Sequence, residues 1–180
     1  MVSRSCCGPA THPSAIYWRV AIVHSLLLAR EGGFLVDAAS AIRNNRAFLF
    51  SGVSGAGKIT ISRLASSDVI LLSDEISYAR RFGQGYRACG TPFAGELARL
   101  GENCSAPLST LFFLEQGSEN RIEPMSTGES VRRLLRNILF FANDPELVKL
   151  VFRSAFDFVT DVAVRRLTFF PDERVWDLIE

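Results

Sequence analysis

Lysine is nearly missing from this chain: of twenty basic residues only Lys58 and Lys149 are lysines, so the placement of either is informative. Histidine is as scarce, at His12 and His24, and the four cysteines, Cys6, Cys7, Cys89 and Cys104, form no C-x-x-C pair. That inventory argues against a zinc site, which draws its ligands from clustered thiolates and imidazoles. An excess of one charge is lacking too. Twenty basic against nineteen acidic residues leave a net charge of +1, which argues against a domain built to coat nucleic acid or an anionic membrane. No apolar run approaches the ~20 residues of a membrane span, because Val20 to Ala29 is interrupted by His24 and Ser25. The N-terminus shows no basic start followed by an apolar core and a cleavage site. The expectation is a cytoplasmic protein with no nucleic-acid partner and no membrane contact.

What is present is a globular composition, 48% hydrophobic and 22% charged over 180 residues, enough to bury about 70% of the unfolded surface without a disulfide or metal staple. Residues 1–14 read as a loose leader and residues 15–180 as a single domain, with no repeat, low-complexity tract or linker. From Ile16 the apolar positions Ile16, Val20, Val23, Leu27 and Leu28 recur at three and four, which predicts an amphipathic helix stopped by Gly32-Gly33. His24 lies near that stripe and reads as a packed residue rather than a catalytic one. Two apolar runs, residues 34–39 and 47–50, flank Asn44-Asn45 and predict neighbouring strands joined by a tight turn. A short helix to about Ser66 and a strand at 69–72 follow. Residues 76–82 and 108–115 are expected to be extended, with 83–107 as a long connection of the kind that is often functional. Ser126 with Glu129 forms a capping box whose helix presents Val131, Leu134, Leu135, Ile138 and Leu139, and Asp144-Pro145 opens a second helix. Residues 166–170 and 175–179 are expected to form terminal strands around Pro171-Asp172. The pattern predicts one α/β domain.

One local motif carries chemistry. Gly52-Val53-Ser54-Gly55-Ala56-Gly57-Lys58 has the G-x-x-x-x-G-K spacing of a phosphate-binding loop and sits between a predicted strand and a predicted helix. Glycines let backbone N–H groups turn inward around phosphate oxygens, the helix N-terminus adds partial positive charge, and Lys58 is placed to bridge the outer phosphates. The motif departs from its usual form at the next position. Ile59 stands where a Ser or Thr hydroxyl would ligate magnesium, and Thr60, one residue on, points about 100° away. The second signal is Asp74-Glu75 directly after the buried run Val69-Ile70-Leu71-Leu72. Carboxylates at the end of a strand beside a phosphate loop suit metal binding or a base for an incoming hydroxyl.

Ten residues separate Lys58 from Val69, a strand pair leads into the loop, and two carboxylates close the next strand. That order resembles the catalytic domain of HPr kinase/phosphorylase, a family related in fold to ATP-dependent phosphoenolpyruvate carboxykinase. It is similar above all to the short HPr-kinase-like proteins, which include kinases of free serine or of ribosomally made peptides. The resemblance covers residues 16–180 in layout, with its specific motifs between Phe34 and Glu75. It implies a twisted mixed sheet with a phosphate loop and helices packed on the sheet, at about residues 15–30, 126–142 and 145–158. It matches residues 52–58 to the family's G-x-S-G-x-G-K, makes Asp74 the base, and makes Glu75 a metal-associated carboxylate. Fifteen residues before Gly52 the family places a histidine, and here that position is Asp37. An aspartate there brings no positive charge to a phosphate but can bind metal. Residues 90–96 and 106–108 also resemble segments of the short relatives, the first as a flap over acceptor or nucleotide. The HPr-binding signature is not evident, so HPr is not the expected substrate.

The resulting expectation is an ATP-dependent phosphotransferase using magnesium and acting on a hydroxyl of a small molecule or peptide. Gly52 to Thr60 bind the nucleotide, Asp74 and Glu75 hold metal, and Asp74, Glu75 and Asp37 serve catalysis. Arg80, Arg81 and Arg87 are expected to reach the transferred phosphate, while Arg121, Arg132, Arg133 and Arg136 form solvated faces. The alternative is a nucleotide-binding accessory or regulatory protein whose degenerate site lacks turnover, as Ile59 and Asp37 suggest. A homo-oligomer is compatible with either.

Overall fold

A computed structural model describes residues 13–93, 95, 97 and 101–179, so the expected leader lies, but for its last two residues, outside the described part. Helix α1 (Pro13–Arg30) ends as expected at Gly32, whose φ of 75° is the left-handed cap conformation, with the Gly33 N–H donating to the Leu28 carbonyl at 2.8 Å. The expected stripe faces inward only in part: Leu28 is buried and Val20 packs on the core, but Ile16, Val23 and Leu27 are exposed, while Ala21, Ser25 and Ala29 are buried. Small residues thus share the buried face with Leu28, and part of the apolar surface of the helix turns outward.

Strands β1 (Phe34–Arg43) and β2 (Arg46–Ser51) form the expected hairpin, with Arg43 opposite Arg46. Asn44 and Asn45 both take positive φ, the pair of conformations that a two-residue hairpin turn needs. After the loop come α2 (Lys58–Arg63), β3 (Ile70–Ser73), β4 (Ile76–Phe82) and β5 (Gly85–Cys89). β5 and the first three residues of β6 lie inside the expected 83–107 connection, so about a third of it is strand. The chain continues through β6 (Ser105–Gln116), β7 (Arg121–Pro124), α3 (Thr127–Asn137), β8 (Ile138–Leu139), α4 (Pro145–Asp161) and β9 (Ala163–Phe169). Both expected caps are made: Ser126 accepts from the Glu129 N–H, and Asp144 from those of Glu146 and Leu147. α3 stops short of residue 142 because Ile138 and Leu139 turn extended and pair with Val36 and Leu35 of β1.

The nine strands form one mixed sheet, ordered β2-β1-β4-β5-β6-β9-β7, with β3 and β8 also on β1. β2 pairs in parallel with β6 as well, so β1, β2, β6, β5 and β4 close a ring. The long strands β1 and β6 make this closure, each pairing with different neighbours along its two halves. Residues of β1 alternate between layers: Val36 and Ala38 enter the main core with Leu49, Leu111, Phe113 and Phe158, while Ala39 and Ala41 face a second core with Phe50, Ile61, Phe169 and Trp176. A third cluster holds α1 to Leu35, Ile76 and Phe93.

The last expected strand, 175–179, is instead a 3-10 helix at Glu173–Leu178, started by the Asp172 carboxylate accepting from the Arg174 N–H. It buries Trp176, whose indole N–H donates to the Ile61 carbonyl at 3.1 Å and so fastens α2 from behind.

Candidate functional site

Where β2 leaves the sheet, residues 52–57 wrap into a loop that ends at the start of α2. Gly52 is held close, since a Cβ there would lie 2.7 Å from that of Ala56. Gly55 and Gly57 have φ of 80° and 110°, which L side chains rarely adopt. The Ala56 N–H donates to the Val53 carbonyl at 3.0 Å, and Gln116 at the end of β6 donates to the Gly55 carbonyl at 2.8 Å. The N–H groups of the first turn of α2 have no intrahelical acceptor. The loop is thus a fixed ring of backbone with its donors uncommitted at the helix start.

Lys58 opens α2 and turns back across the loop. Its Nζ donates to the Gly52 carbonyl at 2.9 Å and lies 3.1 Å from Oδ1 and 3.3 Å from Oδ2 of Asp37. Asp37 sits in β1 opposite Ile76, the residue after Glu75, and the Ala38 N–H donates to the Glu75 carbonyl. Strand pairing therefore brings Asp37 and Asp74-Glu75 to the same edge of the loop, across 37 residues of sequence or more.

All three carboxylates line one cleft of about 560 Å³ with Ser54, Gly55, Gly57, Lys58, Ile59, Thr60, Arg63 and Gly95. Each already has a partner. Asp74 is buried, and its two carboxylate oxygens accept the N–H groups of Gly95 at 2.7 Å and Leu97 at 2.9 Å. Glu75 accepts the Tyr17 hydroxyl at 2.8 Å. The Tyr17 phenol is held far above its ordinary pKa by burial first, then by that bond and by the charges of Glu75, Asp74 and Asp37. Tyr17 is a site residue that the sequence gives no reason to select, because α1 is remote from every motif.

Of residues 90–96, expected as a flap, Gly95 lines the cleft; Ala94 and Glu96 lie outside the described residues. Phe93 packs edge-on to Tyr17, and the Thr91 hydroxyl donates to the Ile76 carbonyl at 2.9 Å, so the segment is pinned from both sides.

The arginines expected at the phosphate are elsewhere. Arg80 pairs with Glu31, Arg81 with Asp157 and Asp161, and Arg87 donates to Ser105. β4 starts at the cleft and runs away from it, so at ~3.3 Å per residue Arg80 is already some 13 Å along. Arg63 takes their place in the cleft. It lies four residues beyond Ile59 and three beyond Thr60, on one helix face, a spacing that could have singled it out. Among the solvated-face arginines, Arg133 instead joins Arg166 on Glu115 and Glu129, a network outside the cleft. His24 is also outside it, hydrogen-bonded to the Tyr78 hydroxyl and packed on that ring.

Among the described residues no group of three or more His, Cys, Asp or Glu side chains is close enough to hold a metal. The donors therefore do not form a magnesium site by themselves. They do suit an ion that arrives with phosphates, which needs only one or two carboxylates from the protein, and the three acidic groups against Lys58 and Arg63 leave the cleft short of positive charge. Ile59 adds no ligand. No helix among the described residues is long and apolar enough to cross a membrane. Comparison with models of known protein families gives no match, and a search of the curated proteins gives none either.

Proposed function

We propose that this chain is an ATP-dependent phosphotransferase that holds the nucleotide's phosphates on residues 52–58 and passes the terminal phosphoryl group to a hydroxyl of a small molecule or peptide. The observation that carries this reading is the convergence on one cleft of the glycine loop, Lys58 and the carboxylates Asp37, Asp74 and Glu75. Lys58 exchanges Asp37 for phosphate oxygens. Asp74 accepts the proton of the acceptor hydroxyl as its oxygen bonds to phosphorus and the bond to the bridging oxygen of ADP breaks. A carboxylate has about four lone-pair sites, so the two N–H bonds to Asp74 leave room for that proton. Magnesium, held by Glu75 and Asp37 beside the phosphates, would supply neutralising charge.

A second reading, a nucleotide-binding regulatory protein without turnover, is favoured by Ile59 at the ligand position and by the tethering of Asp74, whose two oxygens are already engaged by backbone N–H groups. Both readings require nucleotide binding. Calorimetric titration with ATP should show binding in the wild type and a loss of roughly 1.5 to 3 kcal/mol in Lys58→Ala, the scale of a hydrogen bond to a charged group. Formation of ADP in the presence of free hydroxyl compounds and seryl peptides then separates the two readings. Equal affinity in wild type and variant removes the loop from the account.

A further inference from the structure

Arg63 lines the phosphate cleft and also a second cavity of about 500 Å³ that adjoins it. The two cavities share only Arg63 and Asp74 among their lining residues, so these two residues stand where the cavities meet. On the far side, Ser62, Ser66, Ser73 and Glu102 give the second cavity a polar wall, and Val69 and Leu71 an apolar one. Arg63 is exposed, and no ion pair or hydrogen bond holds its guanidinium among the described residues.

Its position is fixed by α2. Ile61 and Ser62 are buried, and Trp176 and the Ser62 hydroxyl, which donates to the Lys58 carbonyl at 2.9 Å, hold the helix against the second core. The opposite face of this six-residue helix presents Ile59, Thr60 and Arg63 to the cleft. Lys58 lies at the loop end of that face, bound to Asp37 and to the Gly52 carbonyl. Phosphates cradled by the loop meet Lys58 first. A chain of phosphates that continues along the helix face passes Ile59, which offers nothing, and reaches Arg63 one turn on, at ~5.4 Å per turn. A guanidinium binds a phosphoryl oxygen pair through two parallel N–H donors, which an ammonium cannot do.

We propose that Arg63 is the binding residue for the terminal phosphoryl group, the feature by which this cleft distinguishes a nucleoside triphosphate from a diphosphate, and that it presents this group at the mouth of the second cavity. The inference rests on the nucleotide-binding reading of the cleft and adds to it a residue and a specificity.

The test compares ATP with ADP by calorimetry, with magnesium present, on the wild type, Arg63→Met and Arg63→Lys. The expected result is a preference for ATP in the wild type that Arg63→Met removes, through a loss of ATP affinity of roughly 10- to 100-fold with ADP affinity changed by less than about threefold. Arg63→Lys should restore part of the preference. Because Arg63 is exposed and makes no contact that holds the helix, both variants should melt with the wild type, and Arg63→Gln serves as a second neutral variant. Equal weakening of ATP and ADP, unchanged affinity for both, or a wild type that binds ATP and ADP alike overturns the inference while leaving nucleotide binding intact. A wild type that binds neither overturns the nucleotide-binding reading itself, and this inference with it.

Discussion

Asp37 and Lys58, 21 residues apart, form an ion pair across the mouth of the glycine loop, with the ammonium 3.1 Å from Oδ1 and 3.3 Å from Oδ2 of the carboxylate. A phosphate that binds Lys58 must take it from Asp37, so the pair opposes ligand binding by the strength of a partly exposed salt bridge. Such pairs contribute about 0.2 to 1 kcal/mol. Asp37→Asn should accordingly tighten ADP binding about 1.4- to 5-fold in magnesium-free buffer, and the gain should shrink with added salt. Titration of ADP into both proteins checks this. Unchanged or weaker affinity in the variant would show that the pair does not compete with phosphate.

The three tyrosines of the chain offer a pH signature. Burial is the first cause raising each phenol: Tyr17 far above its usual range, Tyr78 to about 12, and Tyr86 upward as well. A phenol that keeps its proton in the folded state but loses it when unfolded stabilises the fold below the ordinary tyrosine pKa near 10, and that contribution is lost as pH rises through the folded value. Stability should fall with pH above about 10. Ultraviolet absorbance should show less phenolate at about pH 10 in native protein than in denaturant, where titration is half complete. Ordinary titration of a native tyrosine would contradict the packing of α1 on Glu75 or of Tyr78 in its cluster.

The glycines of the loop separate strain from crowding. Gly55, at φ 80°, has open space around it, whereas a Cβ on Gly57, at φ 110°, would lie 2.8 Å from Phe169 Cε1 and nearer still to Cζ. Gly55→Ala should cost about 1 kcal/mol from backbone strain alone, and Gly57→Ala about 2 to 4 kcal/mol from strain and overpacking together. Denaturant unfolding of both variants ranks them. A Gly57→Ala protein as stable as Gly55→Ala would mean that β9 does not press on the loop.

Much of this arrangement was legible in residues close together in sequence. Asn44-Asn45, Ser126 with Glu129, Asp144-Pro145 and the loop itself act within four to seven positions, and all form as their chemistry dictates. The failures are of longer range. The rotation of α1, which buries Ala21 and Ser25 and exposes Val23 and Leu27, does not follow from apolar spacing, and the end of α3 was set by an open edge on β1. Residues 175–179 alternate well enough for a strand but were claimed by the pocket behind α2 that takes Trp176. At the site, Asp37, Lys58, Asp74 and Glu75 were readable as a set, yet their partners Tyr17 and the N–H groups of Gly95 and Leu97 were not, since each is brought in from a segment with no motif. The arginines failed because their proximity in sequence to Asp74-Glu75 says nothing of the direction in which β4 leaves.

Asp74 has a structural duty that can be measured apart from any chemistry. It joins the end of β3 to the segment at 95–97 through two charge-assisted hydrogen bonds, from the Gly95 and Leu97 N–H groups, and it is buried while doing so. Asparagine keeps one acceptor oxygen but sets an NH2 group against the other N–H, which turns an attraction into a donor facing a donor. Losing a hydrogen bond to a charged acceptor costs about 1.5 to 3 kcal/mol. Asp74→Asn should therefore lower unfolding stability by that amount and speed hydrogen exchange at the amides of Gly95 and Leu97. Because Gly95 lines the cleft proposed to hold the nucleotide, ATP affinity should fall together with amide protection. An Asp74→Asn protein that loses phosphoryl transfer but keeps wild-type stability and amide protection would assign the carboxylate to chemistry alone, and the tether would carry no weight in the fold.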